Sequence, residues 1–90
     1  MAALRLPSPT DVMLAQSLFP AATLESLQHG RSIYVAHCAG CHTLYQPEKY
    51  PVEHWQKMIP EMAIRAHLSA RDTELCLEYL ATMSVAGRAQ

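Results

Sequence analysis

The chain has 90 residues, half of them apolar, with seven lysines and arginines against eight acidic residues and a formal net charge of −1. These values exclude a nucleic-acid partner, because no positive stripe is present to meet a phosphate backbone. No apolar run approaches the ~20 residues of a membrane span. A chain of this size makes one small domain whose core alone gives marginal stability, so a covalent or metal staple is expected.

In chain order, residues 1–9 are punctuated by Pro7 and Pro9 and read as irregular. With Arg5 and Asp11 close by, the first eleven residues make a poor signal peptide. Thr10 or Asp11 is placed to cap a short helix through Leu18, ended at Phe19-Pro20 because the residue before a proline resists helical geometry. Thr23 caps a second helix running toward Ala36, with Leu24, Leu27, Ile33 and Tyr34 at loosely helical spacing. Gly30 lies inside it, at a cost of ~1 kcal/mol relative to alanine. A glycine held there predicts close approach by another backbone or a flat ligand.

Residues 43–51 contain Pro47 and Pro51 and read as loop. A third helix is predicted from Val52 to about Ile59, where Pro60 interrupts or restarts it. Ser69 caps a fourth helix, with Asp72 and Glu74 near its positive end. Leu75, Cys76, Tyr79, Leu80 and Met83 form its apolar face, and Gly87 is expected to end it. No segment alternates as a strand, so the chain reads as all-α.

The chemistry is concentrated in "VAHCAGCHTLYQPEKY", residues 35–50. Two thiols spaced by two residues match the two vinyl groups of one haem, and the next residue can supply an imidazole below the iron. Cys38, Cys41 and His42 therefore read as c-type haem attachment, with His42 the proximal ligand. Zinc competes, since Cys76 with His37, His54 or His67 could complete a set, but no second pair of ligands has zinc spacing. A dithiol redox pair needs a βαβ setting that this chain does not offer. The odd cysteine, Cys76, reads as a small buried hydrophobe rather than a reactive thiol. His37, just before Cys38, reads as solvated.

The stretch "GRSIYVAHCAGCH" resembles the first helix and attachment site of class I c-type cytochromes, most closely the small bacterial monohaem members. Gly30 and Tyr34 fall where that family has a glycine eight residues, and an aromatic four residues, before the first cysteine. Tyr79-Leu80 matches the aromatic–aliphatic pair of its last helix. The likeness covers about residues 24–83. It implies a cytochrome c fold of three to five short helices around one covalent haem c, with domain limits of 1–22 for an N-terminal extension, 23–84 for the haem domain and 85–90 for a tail.

The family pattern of a tryptophan, six residues and a methionine is met by Trp55 and Met62, so the resemblance implies Met62 as distal iron ligand. Met58 is the alternative, with His67 or His54 behind it, and Met83 reads as core. Around the haem, Tyr45, Tyr50 and Arg65 are candidates for the propionates. Trp55 is a candidate for the haem edge or a propionate, or else a core tryptophan. The Pro47 carbonyl is a candidate partner for His42. The implied role is a carrier of single electrons, free or as a domain of a larger redox enzyme, with redox proteins as partners and no catalytic residue of its own. The resemblance also implies the periplasm, with a leader removed ahead of these residues. A domain with an open sixth site for a small gas or peroxide, and a zinc-stapled interaction module, are the alternatives.

Overall fold

The computed structural model of the chain describes residues 4–38, with the side chain of Cys38 left aside, and 45–88. Four helices appear among them: α1 (Pro9–Leu18), α2 (Leu24–Cys38), α3 (Val52–Ala66) and α4 (Ala70–Arg88), with a 3-10 turn at Pro47–Lys49. The all-α expectation holds.

Local chemistry sets most of the boundaries. α1 begins two or three residues earlier than the sequence suggests. Its cap is Ser8, Pro9 fills the first helical position, and the Asp11 carboxylate reaches back to the Ser8 N–H at 2.8 Å. At α2 the Thr23 hydroxyl accepts the Ser26 N–H at 3.0 Å, while the Thr23 N–H is given to the Ser26 hydroxyl at 2.8 Å. At α4 the Asp72 N–H is given to the Ser69 hydroxyl at 3.0 Å.

Two expected breaks do not occur. α3 continues through Pro60 to Ala66. Proline removes only the N–H that would meet the Gln56 carbonyl, and both residues face solvent, where water can take that carbonyl. The helix stops at His67, in left-handed geometry (φ 56°), whose N–H caps the Ala63 and Ile64 carbonyls. α4 likewise runs through Gly87 to Arg88. The glycine serves packing: a Cβ there would lie 2.8 Å from Glu48 Cβ, so its absence lets the 3-10 turn settle on α4.

The core forms where α2 and α3 pack on α4, with α2 against α4 the most extensive contact. Gly30 is the crossing point. A Cβ at residue 30 would fall onto the Leu75 carbonyl oxygen, 2.8 Å from its carbon and 2.9 Å from Tyr79 Cβ. The predicted close approach is thus made by the backbone of α4. The predicted α4 face (Leu75, Cys76, Tyr79, Leu80, Met83) is buried, together with Tyr34, Trp55 and Ile59. α1 closes a smaller cluster of Ala15, Ala22 and Leu27.

The irregular N-terminal arm is also part of this core. Leu4 is buried among the main cluster. Its carbonyl accepts two guanidinium N–H groups from Arg31, at 3.0 and 3.2 Å. The Tyr79 hydroxyl donates to the Arg5 carbonyl at 3.0 Å. Burial pushes the Tyr79 phenol up to about 12, although Arg31 and Arg5 pull the other way. Arg5 in turn makes a two-pronged ion pair with Asp11, at 3.0 and 3.2 Å. Burial raises the Asp11 carboxyl, but the bonds from Arg5 and Ser8 together outweigh it and hold the group below its ordinary 3.8.

Two outcomes are expected. Gly30→Ala will destabilise the fold by about 1–3 kcal/mol through overpacking, although alanine is the better helix former; urea or thermal unfolding measures this. The depressed Asp11 contributes stability that is present above 3.8 and lost as pH falls below it through the folded value. Half of the Arg5 side chain is exposed, so the ion pair contributes ~1 kcal/mol or less. The hydrogen-exchange protection of residues 4–8, measured against the intrinsic rate at each pH, will therefore fall in acid in the native chain, and Asp11→Asn will show that lower protection already at neutral pH.

Candidate haem-attachment site

α2 carries the first predicted thiol to its C-terminal end, since its last residue is Cys38. Cys41 and His42 lie outside the described residues. The segment leaving α2 is fastened one turn earlier. The Tyr34 hydroxyl donates to the Tyr45 carbonyl and accepts the Tyr45 N–H, both at 3.0 Å. Tyr34 is fully buried in the α2–α4 core, so this clasp ties Tyr45 to that core. The aromatic position was legible in the sequence. The clasp was not, because a phenol holding both backbone groups of one distant residue leaves no spacing signal.

α3 places the candidate distal groups. Trp55, Ile59 and Ala63 point into the core. Met58, Met62 and Arg65 follow at i, i+4 and i+7, one stripe beside that buried face. With Glu61 they line an open cavity of about 170 Å³. Both thioethers are half-buried and packed against the core cluster, while Arg65 is exposed. The continuity of α3 through Pro60 produces this arrangement. Had the helix broken at Ile59, Met58 and Met62 would not share one face.

The other candidates are distributed differently. Met83 is buried core, as expected. His67 is the exposed cap of α3, and His37 is exposed on α2. His54 is exposed and stacks on Tyr50, with ring centroids 4.1 Å apart. Trp55 is fully buried and gives its indole N–H to the Pro47 carbonyl at 2.7 Å. Among the described residues the indole N–H and the Pro47 carbonyl are thus each other's partners. The Tyr45 ring is half-buried, set edge-on to Tyr50 at 5.5 Å, with the Lys49 ammonium 4.7 Å from its centroid. Cys76 is fully buried in α4. The zinc set that would have used it has no accessible sulfur there.

No described helix is long and apolar enough to cross a membrane. No curated protein and no solved structure matches the chain. The family model for dihaem cytochrome c does match, over residues 34–90, a span that opens at the Tyr34 clasp and takes in the Cys-x-x-Cys-His motif, both candidate methionines and all of α4. The chain belongs to the dihaem cytochrome c family, and is a c-type cytochrome rather than a zinc module.

Proposed function

We propose that this chain binds one haem c and passes single electrons between redox proteins. Thioether bonds from Cys38 and Cys41 would hold the porphyrin, with His42 and Met62 on the two faces of the iron. The family is dihaem, but these ninety residues contain three cysteines and a single Cys-x-x-Cys-His. A second attachment needs a second cysteine pair, and beyond Cys38 and Cys41 the sequence holds one further cysteine, Cys76. One haem on this stretch is the count its residues support.

The observation that carries the reading is a thioether-lined cavity on α3 in a chain whose attachment motif begins at Cys38, the last residue of α2. The donor chemistry fits the group. Methionine sulfur is a soft, neutral ligand that favours ferrous iron and raises the potential. The Arg65 guanidinium on the same stripe suits a propionate carboxylate. Haem supplies a metal that accepts and returns one electron. The chain's own residues hold the distal sulfur on a continuous helix and exclude water with the α2–α4 core. They also keep Tyr34 and Tyr45 clasped across the attachment segment. Met58, one turn before Met62 on the same cavity, is the alternative ligand. Since bacterial thioether attachment takes place outside the cytoplasm, the periplasm is the proposed site of action.

Met62→Ala will convert a low-spin ferrous spectrum into a high-spin or weakly ligated one that binds carbon monoxide at once. Unchanged low-spin bands in that variant would give the sixth position to Met58 or a histidine. An intact mass equal to the bare polypeptide would defeat the cytochrome reading altogether.

A further inference from the structure

The face of α3 turned away from the core carries charges of alternating sign. Glu53, Lys57, Glu61 and Arg65 follow one another at intervals of four along Val52–Ala66, and all four are exposed. Pro60 and Ile64 stand beside them, also a turn apart and also exposed. At 78% exposure, Ile64 is the most exposed large apolar side chain among the described residues.

Opposite charges at i, i+4 ordinarily pair within their own helix. Here they do not. The ion pairs among the described residues are Arg5–Asp11 and Arg71–Glu74. None of the four charges on α3 takes part in an ion pair or a side-chain hydrogen bond. Yet the row is complementary to itself when reversed. Two copies of α3, laid antiparallel about a two-fold axis level with residue 59, set Glu53 against the partner's Arg65 and Lys57 against the partner's Glu61. Symmetry makes each pair occur twice. Laid parallel and in register, like charges would meet. Pro60, beside the axis, and Ile64 supply apolar surface that such a seam removes from water. A net charge of −1 leaves little general repulsion between copies.

We propose that the outer face of α3 is where two copies of this chain pair, antiparallel and two-fold symmetric. The Lys57–Glu61 pairs flank the axis and the Glu53–Arg65 pairs lie outside them. One helix face is small against the ~1,200 Å² of a stable interface, so the dimer is weak and reversible. Glu61 and Arg65 also line the cavity that holds Met58 and Met62. Pairing therefore brings the rim of each copy's thioether-lined cavity to the edge of the seam. The Arg65 guanidinium has five N–H groups, enough to serve the seam and the cavity together. This pairing goes beyond the proposed electron transfer and does not rest on haem.

Sedimentation velocity at low salt tests it. The mass of the native protein should rise from the monomer toward twice that value as its concentration approaches millimolar, and added salt should reverse the rise. Lys57→Glu puts acid against acid across the axis, and Glu61→Lys puts base against base. Each variant alone should stay monomeric at concentrations where the native chain pairs. Mixed in equal amounts, the two should form a heterodimer, because every cross-axis contact is then of opposite sign. Circular dichroism checks that both keep their helix content. Should either lose it, Ile64→Ser, which leaves the charges in place, carries the test: loss of the dimer supports the seam, and an undiminished dimer overturns it. A native chain monomeric throughout, variants that pair as the native chain does, or a mixture that stays monomeric would each overturn the proposal. An intact mass equal to the bare polypeptide would defeat the cytochrome reading and leave this result standing.

Discussion

The fold depends on two helix backbones meeting with nothing between them. At Gly30 the missing Cβ lets the Leu75 carbonyl and the Tyr79 side chain lie directly on α2. Everything that bears on the site is measured from that crossing. It fixes the depth of Tyr34 and the plane in which Trp55 can reach it, and α3 then takes the remaining side of α4. The glycine's poor helix propensity is a local cost of ~1 kcal/mol. It is offset by the burial of Tyr34, Tyr79 and Leu80, each worth more than that in apolar area removed from water.

From that frame the candidate site follows as a matter of angle. Trp55 is locked by its bond to Pro47 and by its ring contacts, so the rotation of α3 is set at one residue. A helix rotated to bury Trp55 and Ile59 must carry Met58, Met62 and Arg65 along the edge of the buried face. The tryptophan therefore decides which way two thioethers face.

The features legible in the sequence were those with fixed spacing. The Cys-x-x-Cys-His run, the glycine and aromatic ahead of it, the face of α4 and the Ser69 cap all rest on periodicity or local hydrogen bonding, and all could be read from residue order. The misread positions were those where tertiary contact outweighs local preference. Pro60 looks like a break, but its lost hydrogen bond faces water and the packing of Ala63 carries the helix on. Gly87 looks like a terminator, yet it is a notch for Glu48. The arm at residues 4–8 looks loose by composition. It is held by groups from α1, α2 and α4, all distant in sequence or unremarkable alone. The Trp55–Pro47 bond was missed because an indole gives no sign of which carbonyl it will choose.

The clasp between Tyr34 and Tyr45 has a consequence for how the protein is made. It joins two points that flank Cys38 and Cys41 in the sequence. Once the clasp is made, the ring of chain that carries both cysteines is closed and its closure entropy already met. Maturation would then resemble fitting a part into a frame already bolted at both sides, with less order left to impose at each sulfur.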